Sequence, residues 1–146
     1  MSGVKRRLRG SLTVQKLGGV RLDEAVVGLA FLQGSRYAAL TAAGSLYLAD
    51  AAGGEARRLG GHEQGGLALA VQPGGMVVAT GGQDGTIRLW DTAAGREIAA
   101  IEAGTAWVER IAWRPDGSRF AAAVGRRVGV WAADGSQLGI SDDHAS

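Results

Sequence analysis

Three five-residue segments, Leu46-Tyr47-Leu48-Ala49-Asp50, Ile87-Arg88-Leu89-Trp90-Asp91 and Val128-Gly129-Val130-Trp131-Ala132, superpose with shifts of 41 and 41 residues. A fixed period of this length means that one supersecondary unit is copied along the chain, each copy burying its apolar surface against its neighbours. Upstream of each segment lies a turn followed by a second apolar run: Gln33-Gly34-Ser35-Arg36-Tyr37-Ala38, Pro73-Gly74-Gly75-Met76-Val77-Val78 and Pro115-Asp116-Gly117-Ser118-Arg119-Phe120. Their spacings, 40 and 42 residues from Gln33 to Pro73 to Pro115, differ by loop changes of a single residue.

Within one period the pattern is that of four short strands. In the second copy they fall at Leu67 to Gln72, Met76 to Thr80, Thr86 to Trp90 and Glu97 to Ile101. Pro73-Gly74-Gly75 and Asp84-Gly85 have the chemistry of tight turns, in which glycine supplies a positive φ. Ile87 and Leu89 alternate with Thr86 and Arg88, as a strand between two environments requires, and no stretch keeps a helical period. The 25 glycines and two prolines punctuate short apolar runs, which favours an all-β chain over low complexity.

The length of 146 residues suits one domain, and with 46% hydrophobic residues the chain can bury a core. No apolar run approaches the roughly 18 residues of a membrane span, so a soluble protein is expected. The absence of cysteine excludes disulfides, thiol nucleophiles and thiolate metal sites. The net charge of +2 hides an asymmetry: Lys5, Arg6, Arg7 and Arg9 carry four positive charges, and the remainder is −2. The body is therefore no basic nucleic-acid surface. Gly10-Ser11-Leu12-Thr13 follows the basic cluster where a secretory signal would turn apolar, so the cytoplasm is expected.

This pattern resembles the WD-repeat β-propeller family, in which a period of about 40 to 45 residues encodes a four-stranded blade with a Gly-His and Trp-Asp signature. The resemblance covers roughly Ser11 to Ile140 and is strongest in the second copy, where Gly61-His62 opens the blade and Gly81 to Asp91 (GGQDGTIRLWD) closes its third strand. It implies an all-β fold of three four-stranded antiparallel blades, at about 18–59, 60–101 and 102–140, forming an incomplete ring in a single chain. Residues 11–17 would add one extra N-terminal outer strand, 1–10 a basic disordered leader and 141–146 a tail. His144 falls two periods after His62, so the chain stops where a further blade would begin.

In this family a His, a Ser or Thr, an Asp and a Trp form a hydrogen-bonded structural tetrad, which position by position implies His62, Thr80, Asp84 and Trp90. A buried indole and imidazole need such partners. The first copy departs from the pattern with Gly18-Gly19 for Gly-His, Ala49 for Trp and no acid in Ala42-Ala43-Gly44; the third has Ala132 for Asp and Gly125-Arg126-Arg127 as its turn. Those blades are expected to rely on apolar packing, chiefly of Leu29, Phe31 and Tyr37 in one and of Ile111, Trp113, Phe120 and Trp131 in the other.

No enzyme is indicated, and no cofactor or metal is expected. His62 and His144 are the only histidines and lack paired ligands at zinc-site spacing. Asp142-Asp143 reads as a solvated tail. Gly81 to Gly85 is not followed by the helix that a phosphate cradle needs, and the serines include no nucleophile elbow.

Propellers of this family are generally scaffolds, so the expected function is non-catalytic protein–protein interaction through loops on a rigid support. The turns on one rim bring together Glu63, Gln64, Gln83, Trp107 and Arg126 as the expected partner-binding residues, Trp and Arg being enriched at interface hot spots. Two alternatives stand beside it. Three blades are fewer than the roughly four to eight of closed propellers, so the chain would complete a ring as a homo-oligomer or with a ring-completing chain, Ser11 to Leu17 pairing across. The basic leader would otherwise bind nucleic acid, a weaker expectation without aromatic residues for stacking. No membrane partner is expected.

Overall fold

The structure is a computed structural model describing residues 5–7, 13–15, 19–22 and 24–141. His144 and the pair Asp142-Asp143 lie outside the described residues.

Strands β1 (Lys5–Arg7) and β2 (Thr13–Gln15) form a two-stranded antiparallel sheet with Arg6 opposite Val14. Lys5–Arg7, expected within a disordered leader, is thus a strand, and Thr13–Gln15 pairs with it instead of lying on a blade. Pairing satisfies backbone groups that both strands would otherwise leave open, and closing so short a connection costs little chain entropy.

Twelve further strands make three four-stranded antiparallel sheets, each ordered as it runs in the chain. The first blade comprises β3 (Val26–Phe31), β4 (Arg36–Thr41), β5 (Ser45–Asp50) and β6 (Arg57–Gly61). The second comprises β7 (Gly66–Val71), β8 (Val77–Gly82), β9 (Thr86–Asp91) and β10 (Arg96–Glu102). The third comprises β11 (Val108–Trp113), β12 (Arg119–Val124), β13 (Arg127–Ala132) and β14 (Gln137–Ile140). The inner strands β3, β7 and β11 lie side by side, and the three sheets form an arc, not a closed ring. Each inner strand carries a register shift near its start, after Val26, Gly66 and Val108, so the bulge is part of the repeat.

Strand register explains how the blades stack. Phe31, Tyr37 and Ala49 lie opposite one another across the first blade; Val71, Val78 and Trp90 do so in the second, and Trp113, Phe120 and Trp131 in the third. Side chains alternate between sheet faces, so the neighbouring row belongs to the other face: Ala38 with Leu48, Ala79 with Leu89, and Ala121 with Val130. Between the first two blades, Leu32, Ala38, Leu46 and Leu48 meet Val78 and Trp90, with Val71 against them. Between the second and third, Ala79, Ile87 and Leu89 meet Phe120 and Trp131, with Trp113 alongside. The Phe120 ring stacks on Trp131 at 5.7 Å and lies 4.9 Å from Trp113, whose Nε1 donates to the Ala70 carbonyl at 3.1 Å.

One expectation is corrected. Leu29 and Phe31 are 67% and 71% exposed and do not hold the first blade together. They belong to the face that in the other blades meets a preceding blade; among the described residues no blade meets it, and Val20 and Leu22 line a groove there with Leu29, Phe31, Tyr37 and Ala39. The first blade is secured from its other side by Leu32, Ala38, Leu46 and Leu48.

Candidate interaction rim

The second blade carries a continuous relay of hydrogen bonds. Trp90 Nε1 donates to Thr80 Oγ1 at 2.9 Å, Thr80 Oγ1 lies 2.8 Å from His62 Nε2, and His62 Nδ1 lies 3.1 Å from Asp84 Oδ1. Donor capacity fixes the direction. An indole N–H can only donate, so the Thr80 oxygen accepts it; the ionised Asp84 carboxylate can only accept, so the neutral His62 gives its one N–H there and leaves Nε2 to accept the Thr80 proton. The histidine proton therefore sits on Nδ1 and points to the Asp84 carboxylate. Thr86, which the sequence reading passed over, joins here: its hydroxyl donates to Asp84 Oδ1 at 2.8 Å and lies 2.9 Å from His62 Nδ1. The visible signal was Asp84-Gly85-Thr86, a turn in which an Asp side chain binds the backbone two residues on, as the Thr86 N to Asp84 Oδ1 bond of 3.2 Å does.

The electrostatics follow from this order. Burial pushes the His62 pKa below its ordinary value, more than the Asp84 hydrogen bond and charge raise it, so the imidazole is neutral at pH 7. Burial by itself would raise Asp84, but hydrogen bonds from Thr86 and His62 hold its carboxyl below the usual range. The counterparts of Thr80 by register are Ala39 and Ala122, so neither other blade has the hydroxyl to close such a relay.

The relay ends at the rim. Asp84 Oδ2 accepts the Glu63 backbone N–H at 3.1 Å, which fixes the start of the loop carrying Glu63 and Gln64, both exposed. Backbone bonds then tie neighbouring turns in sequence: His62 N to Gly44 O at 2.9 Å, Gln83 N to Gly65 O at 2.8 Å, Ala103 N to Gly85 O at 3.0 Å and Gly125 N to Trp107 O at 3.0 Å. Gly85 sits at φ +73°, and a Cβ there would strike the Gly104 carbonyl oxygen. Close approach of the two turns depends on that glycine.

Glu63, Gln64 and half-buried Gln83 occupy one stretch of this rim; Trp107, 49% exposed, and exposed Arg126 occupy the next. The Ala103–Gly85 bond joins the two stretches. Beside Trp107 a cleft of about 270 Å³ is lined by Gly104, Thr105, Ala106, Val124, Arg126 and Arg127. The opposite rim is tied by side chains: Gln33 Nε2 to Gly74 O at 2.7 Å, Gln72 Nε2 to Gly117 O at 2.8 Å and Arg36 Nη2 to Thr92 O at 2.6 Å.

Four-stranded meanders set side by side on their inner strands define an arc of β-propeller blades. Residues 53–91 match the family model for the WD domain, G-beta repeat. The chain is similar to ribosome biogenesis protein ERB1 of Chaetomium thermophilum, 38% identical over 71 residues, covering 47% of this chain and 9% of that protein. It is also similar to eukaryotic translation initiation factor 3 subunit I of Coccidioides immitis, 39% identical over 69 residues, covering 47% of this chain and 20% of that protein. The chain thus matches only a small part of these relatives' length. Its fold matches a chain in a crystal structure of the mitotic checkpoint complex with a TM-score of 0.73 and 22% identity, covering 80% of this chain and 38% of that one. Among the described residues, no helix is long and apolar enough to cross a membrane.

Proposed function

We propose that this protein is a non-catalytic interaction scaffold whose protein partner docks on the rim bearing Glu63, Gln64, Gln83, Trp107 and Arg126. The carrying observation is Trp107: a large aromatic half in solvent on a backbone pinned by the Gly125 N–H. Such a side chain offers contact area at little ordering cost, and its neighbour Arg126 offers a planar donor fork. Relatives named as a ribosome biogenesis protein and as a subunit of a translation initiation factor support a role within protein assemblies. The cytoplasm is proposed as its location.

The test is quantitative affinity purification of the tagged chain. Trp107→Ala with Arg126→Ala should lose the co-purifying partners while melting as the parent does. Asp116→Ala with Glu55→Ala, two exposed positions on the opposite rim, should keep them. The reverse pattern would move the site to the other face.

A further inference from the structure

The second and third blades fill the same place at the rim differently. In the second, the His62 backbone N–H binds the Gly44 carbonyl, and the imidazole occupies the space between its loop and the turn bearing Asp84. In the third, the Ala103 N–H binds the Gly85 carbonyl in the same way, so Ala103 stands where His62 does and offers only a methyl group. By register Arg127 is the counterpart of Thr86, and the turn before it is Gly125-Arg126 where the second blade has its carboxylate. A cleft of about 270 Å³ lies there, with Ala103 to Ala106 on one wall and Val124, Arg126 and Arg127 on the other. Small residues shape it. Gly125, at φ +61°, brings the turn so close that a Cβ would lie 2.8 Å from Ala106 Cβ, and Val124, buried, forms the floor.

We propose that this cleft receives a carboxylate side chain of the protein partner, so that the docking segment is an acidic peptide whose Asp or Glu seats against Arg126 and Arg127. The inference deepens the rim reading and rests on it. Charge carries the argument. Where the second blade supplies its own acid, the third lines the equivalent place with two guanidinium groups. Among the described residues the Arg127 side chain has no ion pair and no hydrogen bond, so its charge is uncompensated within the fold. On the facing wall, the backbone N–H groups of Thr105 and Ala106 enter no hydrogen bond among the described residues, and Thr105 adds a hydroxyl. A guanidinium fork matches a carboxylate, and a partly enclosed site strengthens the pair by thinning the water around it. The positive charge is also local. Glu102 and Glu109 are exposed on the strands that flank the loop, and Glu63 is exposed farther along the rim. Such a surface accepts a single acidic side chain but repels an extended polyanion, which favours an acidic peptide over a nucleic acid. Trp107, 49% exposed beside the cleft, offers a flat apolar surface to the residues on either side of that acid.

The experiment follows backbone amide resonances of the full chain during titration with an end-blocked peptide of alternating glutamate and glycine. The same peptide with glutamine for glutamate, and an oligouridylate of equal charge, are the comparisons. The glutamate peptide should shift Gly104 to Trp107 and Gly125 to Arg127 and leave Gly74 and Gly117 of the opposite rim in place; the glutamine peptide should shift none of them. Arg127→Gln, an exposed position outside the residues assigned to the partner site, should melt as the parent does and bind the glutamate peptide about tenfold more weakly, the share of one charge-assisted bond. Equal shifts from both peptides, or unchanged glutamate binding by Arg127→Gln, would overturn the carboxylate assignment. Larger shifts of the same amides by oligouridylate would replace the acidic peptide with a nucleic acid. The two readings fail separately. Partners lost from Trp107→Ala with Arg126→Ala, alongside no response to the glutamate peptide, would keep the rim and discard the acid. A glutamate response with partners retained by that double variant would overturn the rim and the partner assignment together, leaving a carboxylate-binding cleft.

Discussion

The Thr80 hydroxyl joins two buried aromatic heterocycles, accepting from Trp90 and donating to His62. Removing a member takes a hydrogen-bond partner from its buried neighbour, so Trp90→Phe or Asp84→Ala should cost about 1 to 3 kcal/mol in denaturant melts. Asp134, exposed and accepting from Ser136, whose backbone N–H lies at 2.9 Å, is the control, and Asp134→Ala should cost much less. Equal small losses at Asp84 and Asp134 would remove the relay as a source of stability. The same geometry sets a pH dependence. His62 has a lowered pKa in the folded chain, so below its ordinary value of 6.5 the unfolded chain binds a proton that the folded one resists. The stability that depends on neutral His62 is present above pH 6.5 and is lost as pH falls through the lower folded pKa. Asp84, also lowered, adds a loss of the same sign, beginning below its ordinary 3.8. Melts between pH 5 and 7 should show a downward slope toward acid that His62→Gln flattens; an unchanged slope would mean that another group titrates there. The four relay residues were legible from family spacing, whereas Thr86 was not, because its role comes from a turn geometry that brings Oγ1 to both His62 and Asp84.

At the level of strands, the repeat and its turn residues placed the four strands of the second blade to within a residue or two; β9 runs from Thr86 to Asp91 where Thr86 to Trp90 was expected. What the pattern could not assign was which face of each strand meets which neighbour. In β3 both faces carry small or apolar residues, Gly28 and Ala30 on one and Leu29 and Phe31 on the other, so alternation alone does not mark the open side. Contact with β7 decides it: a Cβ at Gly28 would lie 2.8 Å from Leu69 Cβ. That assignment has an energetic consequence. Phe120 and Phe31 sit in the same face of corresponding blades, but Phe120 is buried at a junction and Phe31 is in solvent. Phe120→Ala should cost about 3 to 5 kcal/mol, the usual loss for a buried aromatic. Phe31→Ala, measured in dilute chain, should fall within the roughly 0.5 kcal/mol typical of surface substitutions. Comparable losses at the two sites would show that the first blade is covered even in dilute solution.

For the whole molecule, stability is set by how many junctions each blade makes. Repeat proteins behave approximately as a sum of unit stabilities and nearest-neighbour interface terms. The second blade has a junction on both sides, one with Leu46 and Leu48 and one with Phe120 and Trp131, and it alone holds the hydrogen-bonded relay. The first and third blades have one junction each, and the outer strands of the three blades differ: β6 and β10 carry Arg57, Arg58, Arg96 and Glu97, while β14 is Gln137-Leu138-Gly139-Ile140, without charge and wholly exposed. Local opening should therefore begin at the ends. Amide hydrogen exchange of dilute chain should rank β8 and β9 as the slowest strands, with β3 and β14 the fastest among the blades. Exchange at one rate across all three blades would mean that the arc unfolds as one cooperative unit.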